Sequence, residues 1–194
     1  MKQLLQTETL EEIIKKSTFI AIVSPVASVQ QAQGFLQQHS NLTATHNCWA
    51  YQIGQEYRFN DDGEPSATAG KPILNAITGQ EFDNTVALVI RHYGGIKLGT
   101  GGLMRAYGGV VSRCLQQAAF EPIKHYSEFS LSVSFALTQS IYNLVRSFDA
   151  EIESENYNNA GAELSIKILS KELATFKTQA VNLCKGDIRF VVEN

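Results

Sequence analysis

The sequence predicts two α+β domains in one chain of 194 residues. Two observations carry that reading. The apolar period switches repeatedly between 2 and 3.6, as it does where strands and helices alternate. Hydrophobic residues make up 44% and charged residues 18%, enough apolar matter for a core and too few charges for a disordered chain. The length accommodates two small domains.

In the first half, Lys15 to Val23 reads as a strand ended by Ser24-Pro25. Ser28 and Gln31 have the spacing of a capping box and open a helix with Val29, Ala32, Phe35 and Leu36 inward. Residues 45–53 and 56–60 read as a hairpin around Gly54-Gln55. Lys71 to Thr78 is predicted as a short helix with Pro72 in its first turn. The apolar run Thr85 to His92 reads as a central strand, and Leu103 to Ala119 as a long helix burying Leu103, Tyr107, Val110, Val111, Cys114, Leu115 and Ala118.

The second half has the clearer pattern. Leu131, Val133, Phe135 and Leu137 alternate as in a strand. Ile141, Leu144, Val145 and Phe148 follow at helical spacing. Residues 151–157 form a weaker strand, and Asn158-Asn159-Ala160-Gly161 a turn. Ala162, Leu164, Ile166 and Ile168 alternate again. Ser170 has the side chain to cap a helix carrying Leu173, Phe176, Ala180 and Leu183, which Gly186-Asp187 ends. Ile188, Phe190 and Val192 make a last strand. The order is βαββαβ, a ferredoxin-like split βαβ. The boundary falls near Glu121-Pro122, giving domains 1–122 and 123–194.

Composition narrows the function. Met1 to Lys16 has no apolar signal region, and no apolar run approaches the ~20 residues that span a bilayer. Cys48, Cys114 and Cys184 are odd in number and far apart, with no zinc spacing, so a reducing cytoplasm is the expected home and no membrane partner is expected. The net charge of −3 argues against a general polyanion binder. The charge is segregated, however. Residues 84–120 hold Arg91, Lys97, Arg105 and Arg113 with no acid.

Three segments could carry chemistry. On strand 45–53, His46 and Cys48 share a face about 6–7 Å apart, too far for a direct nucleophile pair. Cys48 then reads as a small buried hydrophobe. Asp61, Asp62 and Glu64 crowd three carboxylates into four residues, which suits a hard cation such as Mg²⁺ or a solvated turn. From Arg91 to Arg105 a strand runs through a glycine-rich loop into a helix, an arrangement that favours an anion. It is neither a Walker A loop nor GxGxxG, because the third glycine position is Met104. The candidate nucleic-acid or anion contacts are Arg58, Lys71, Arg91, Tyr93, Gly94, Gly95, Lys97, Gly99, Gly101, Gly102 and Arg105.

Three motifs give the chain a family resemblance: His46-Asn47-Cys48-Trp49-Ala50-Tyr51, Asp61 through Leu74, and Tyr93 through Tyr107. In order and spacing they resemble the IMPACT family, whose bacterial members are the YigZ-like proteins. The resemblance spans nearly the whole chain and is strongest over 15–115. It implies an N-terminal ribosomal protein S5 domain 2-like fold with a left-handed βαβ crossover, and a ferredoxin-like C-terminal domain resembling the last domain of translation factor EF-G. Eukaryotic relatives act in translational control through an added RWD domain. With the shared domain starting near Lys15, that partner interaction is not expected here. Two departures stand out: Asn60 where relatives often have Ser, and Ala67 where Gly is usual.

Three functions follow as expectations. The first is a translation-associated regulator that binds RNA or the ribosome through the basic glycine-rich face, with Tyr93 and Tyr107 available to bases and no cofactor. The second is an enzyme on a phosphorylated small molecule, with His46 as acid or base, Asp61, Asp62 or Glu64 holding a metal, and Lys97 at the phosphate. Convergence of His46, Asp62 and Lys97 in one concavity would favour the enzyme. The third is a protein-interaction module that docks by the sheet of the acidic second domain.

Overall fold

The computed structural model describes residues 1–191, and these form a mixed α+β chain that divides into two compact units. The first unit is Met1–Ile123 and the second begins at Lys124. Val192, expected in the last strand, lies outside the described residues.

The first unit contains strands β1 (Lys2–Leu4), β2 (Glu8–Ile14), β3 (Ser17–Pro25), β4 (His46–Ile53), β5 (Glu56–Asn60), β6 (Thr85–His92) and β7 (Phe120–Pro122). Its helices are α1 (Val29–His39), α2 (Gly70–Gly79) and α3 (Thr100–Gln117). Five strands make an antiparallel sheet in the order β2-β3-β6-β4-β5, and β1 pairs with β7 apart from it. β6 is the middle strand and is buried along nearly its whole length, as its unbroken apolar run predicts.

Alternation decides which core each strand feeds. Phe19, Ala21, Val23, Cys48, Ala50, Ala87 and Val89 face α2 and α3. Tyr51, Val86, Leu88 and Ile90 face α1 through Ala32 and Leu36. The helices therefore cover both faces. This arrangement has a topological consequence. β3 and β4 run parallel and are joined over β6 by α1; β5 and β6 run parallel and are joined over β4 by α2. The second connection reverses strand direction, direction across the sheet, and face. Three reversals invert the hand, so one of the two crossovers is left-handed, against the general rule.

Sequence and structure differ here in four places. β1, β2 and β7 were not expected from the N-terminal and boundary residues. β2 is an edge strand half in solvent, and its Glu8, Glu11 and Glu12 hide the pattern as charges on an edge do. Lys15 and Lys16 form the two-residue turn between β2 and β3, both at positive φ as a primed hairpin turn requires. α3 starts at Thr100 rather than Leu103, so Gly101 and Gly102 lie in its first turn and not in a loop. The α1 cap forms from Gln31 N–H to Ser28 Oγ at 3.2 Å, while Gln31 Oε1 accepts from Ala27 N–H at 2.7 Å, one residue earlier than in a strict capping box.

The second unit reads β8 (Tyr126–Ser134), α4 (Phe135–Ser147), β9 (Glu151–Tyr157), β10 (Gly161–Leu169), α5 (Leu173–Leu183) and β11 (Ile188–Val191). Its antiparallel sheet has the order β11-β8-β10-β9. Leu131, Val133, Leu164, Ile166 and Ile168 pack with Ile141, Val145, Phe176 and Ala180 from the two helices. Phe135 and Leu137, expected on the strand, instead open α4. Ser170 does not cap α5. It begins a 3-10 turn, and its hydroxyl is bonded to that of Ser127 at 2.8 Å.

Candidate functional site

The loop between β5 and α2 is built around Asp61. One carboxylate oxygen accepts N–H groups from Ala69 at 2.9 Å and Gly70 at 2.8 Å, and the other accepts Ala67 N–H at 2.8 Å. Asp61 thus satisfies donors at the start of α2, where a negative charge is also favoured by the helix dipole. Ala67 holds φ 58, in the left-handed region that favours glycine. Asp62 turns its carboxylate to the backbone N–H of Asn47 and its carbonyl to His46 Nδ1, 2.7 Å away.

Glu64 takes a third direction. Its side chain is 4% exposed and forms an ion pair with Arg91, whose side chain is 5% exposed. The same carboxylate oxygen accepts the Tyr107 hydroxyl at 2.7 Å and lies 3.7 Å from His46 Nε2. The three carboxylates therefore have separate partners. Among the described residues, no three His, Cys, Asp or Glu side chains converge as a metal site. Arg91 and Tyr107, expected to meet a ligand's charge and bases, are buried and engaged with Glu64. Arg91 Nε is buried and lacks an acceptor among the described residues.

His46 Nδ1 faces a carbonyl oxygen, which only accepts, so Nδ1 carries the proton. In neutral His46 the lone pair is consequently on Nε2. Cys48 does not join this chemistry. Its thiol is wholly buried, donates to the Asp61 carbonyl at 3.0 Å, and is pushed by burial up to about 12. Burial also pushes the Tyr107 hydroxyl well above its ordinary range.

The glycine-rich segment passes close to the β2–β3 turn. A Cβ at Gly94 would lie 1.8 Å from the Lys16 carbonyl oxygen, so only glycine fits. Gly94 N–H donates to Ser17 Oγ at 3.1 Å, and Tyr93 N–H to Thr45 Oγ1 at 3.0 Å. Gly99, at φ 74, precedes α3, which has no side-chain cap. Leu103 N–H reaches Gly99 O at 2.9 Å, while the N–H groups of Thr100, Gly101 and Gly102 precede any intrahelical acceptor.

These elements enclose a cavity of about 500 Å³ lined by Thr45, His46, Glu64, Pro65, Arg91, Tyr93, Lys97, Leu98, Gly99, Thr100 and Leu103. His46 and Lys97 meet there; Asp62 does not line it and Glu64 does. Leu98 also borders a smaller hollow of about 220 Å³ formed with Ile14, Lys15, Gly102, Arg105 and Ala106. Lys15 and Arg105 are exposed in this hollow and Lys97 in the larger cavity, while Gly95 and Gly101 are exposed but line neither. Arg58 on β5 and Lys71 on α2 are exposed but line neither hollow. Arg113 is neutralised by Glu12. Thr45, Ser17 and Glu64's ion pair were missed in the sequence, because β3, β4 and the acidic loop meet only through the sheet.

The motifs that build this cavity are those of a family. The Impact N-terminal domain matches residues 15–115. The chain belongs to the IMPACT family. An IMPACT family member of Thermus thermophilus is 43% identical over 156 residues, 80% of this chain and 86% of that one. YigZ of Escherichia coli is 33% identical over 190 residues, 94% and 93% of the two chains. The Xenopus laevis protein IMPACT is 36% identical over 102 residues, 47% of this chain and 31% of that one. A crystal structure of a hypothetical protein, 30% identical, superimposes with a TM-score of 0.65 over 100% of this chain and 97% of that one. No helix among the described residues is long and apolar enough to cross a membrane.

Proposed function

We propose that this IMPACT family protein binds RNA, alone or within the ribosome, and acts in translation. The observation that carries the reading is the surface around the start of α3. Lys97, the uncapped helix N-terminus and exposed Tyr93 line one cavity, and Lys15 and Arg105 line the adjoining hollow. Free N–H groups and ammonium groups suit phosphates, and an exposed ring suits a base. Ile96 and Met104, 40% and 46% exposed, add apolar surface beside them.

The folds give secondary support. The βαββαβ order with sheet order β11-β8-β10-β9 supports a ferredoxin-like second unit. The left-handed crossover supports the S5 domain 2-like reading of the first. Both folds occur in translation components.

Crosslinking in cell lysate followed by RNA capture tests the proposal. The wild-type chain is expected to carry RNA, and the Lys97→Ala/Arg105→Ala double variant to carry several-fold less. Equal capture by both would place the RNA elsewhere, and no capture by the wild type would end the proposal. The concavity also favours a second reading, an enzyme on a phosphorylated small molecule. Asp62 does not line the cavity and accepts from the Asn47 N–H, and Glu64, which does line it, is engaged by Arg91 and Tyr107. Titration calorimetry with Mg²⁺ and nucleotides checks it: heat on mixing supports the enzyme, and its absence removes it.

A further inference from the structure

The cavity beside α3 is polar in two opposite senses. One part carries donors: the Lys97 ammonium and the N–H groups of the first turn of α3. Another carries acceptors. His46 Nδ1 is committed as a donor to the Asp62 carbonyl, so neutral His46 presents a bare lone pair at Nε2. Glu64 Oε1 lies 3.7 Å from that atom, beyond hydrogen-bond reach, and is already occupied by Arg91 and Tyr107. The Glu64 charge is balanced by Arg91, and the Nε2 lone pair is left to accept a hydroxyl or amino hydrogen. The cavity therefore sorts the parts of its ligand, with phosphate toward Lys97 and a hydrogen-bond donor toward His46. Its volume of about 500 Å³ falls in the general range of small-molecule sites.

Resting on the RNA-binding reading, we infer that His46 is a specificity-determining residue that accepts a hydrogen bond from a ribose 2′-hydroxyl, so that the site selects RNA over DNA. The sugar–phosphate unit of RNA carries both required groups close together, an anionic phosphodiester and a neutral hydroxyl donor. Deoxyribose keeps the first and lacks the second. Without a hydroxyl, desolvated Nε2 stays unpaired in the complex, and this penalty creates the discrimination.

The test uses one single-stranded sequence synthesised in ribose, deoxyribose and 2′-O-methyl forms, titrated against the full chain by fluorescence anisotropy. The methylated strand keeps the 2′-oxygen as an acceptor but cannot donate. The wild-type chain is expected to bind the ribose strand about tenfold more tightly than either of the others, the effect of one hydrogen bond to a desolvated group. Two isosteres then separate the ring nitrogens. His46→Asn places a donor where Nδ1 sits and leaves nothing at Nε2, and is expected to bind all three strands alike. His46→Gln can place an amide oxygen near Nε2, and is expected to keep a ribose preference of a few fold. Equal binding of the three strands by the wild type would overturn the assignment while leaving RNA binding intact. A preference that survives His46→Asn would do the same. Failure to bind any strand would remove both this assignment and the reading on which it rests.

Discussion

Removing the Glu64 carboxylate as Glu64→Ala should strand a charge in the core of the first unit. Arg91 is 5% exposed on its side chain, and among the described residues its one carboxylate partner is Glu64. Its guanidinium also lies over the rings of Phe19 and Tyr93 at 5.3 and 5.4 Å, so it cannot leave for solvent without losing those contacts. Breaking a buried pair from one side costs about 3–5 kcal/mol, and the Tyr107 hydroxyl loses its acceptor as well. That is a large part of the ~5–15 kcal/mol by which domains are stable. Arg91→Met/Glu64→Ala removes both charges and keeps an apolar stem over the rings. It should cost several kcal/mol less than the two single changes added together. Urea unfolding followed by fluorescence measures this cleanly, because Trp49 is the only tryptophan and lies on β4 in the first unit. A loss under about 1 kcal/mol for Glu64→Ala, or strict additivity in the double variant, would refute the buried-pair account.

Three further outcomes follow from the same structure. Gly94→Ala should cost more than about 3 kcal/mol in urea unfolding, because its Cβ would meet the Lys16 carbonyl. Gly101→Ala, whose Cβ meets only Arg105 Nη1 at 3.5 Å, should be neutral or gain up to ~1 kcal/mol. Ala67→Gly should raise stability by up to ~1 kcal/mol by relieving a left-handed backbone, a gain that differential scanning would show as a higher Tm. Stability should fall at alkaline pH. Unfolded thiols ionise near their ordinary 9.0, while burial holds Cys48 to about 12 and Cys114 to about 11. The native chain thus binds more protons than the unfolded one between pH 9 and 11, and each thiol removes at most about 1.4 kcal/mol per pH unit there. Cys48→Ala should lessen the slope seen in urea unfolding at pH 8, 9 and 10.

Much of the fold was legible because periodicity survives wherever one face is buried. The second unit shows this, with Leu164, Ile166 and Ile168 alternating on β10 and Ile141 and Val145 one helical turn apart on α4. The pattern failed at Phe135 and Leu137, where a strand passes straight into a helix and two more apolar residues extend the alternation by coincidence. It also failed at β2, whose charged edge has no core face strong enough to mark it. For the site, the sequence singled out His46, Glu64 and Lys97, and these three line one cavity. It could not tell which charges are spent internally. Arg91 and Lys97 look alike in a basic segment, yet one is locked to Glu64 and the other is exposed. That distinction is tertiary, since Glu64 and Arg91 are 27 residues apart in sequence.

The central claim is that the flank of α3 binds RNA through a few exposed cations. The direct measurement is the affinity for a short single-stranded RNA at 50 and 200 mM salt, for the wild type and for Lys97→Ala/Arg105→Ala. Lys15, Lys97 and Arg105, with Lys16 beside them, would neutralise three or four phosphates. At a slope of about −0.7 per phosphate, wild-type affinity should fall roughly 20- to 50-fold over that range. The double variant should bind more weakly at low salt, with a slope shallower by about 1.4. An RNA affinity indifferent to both salt and the two substitutions would contradict the account.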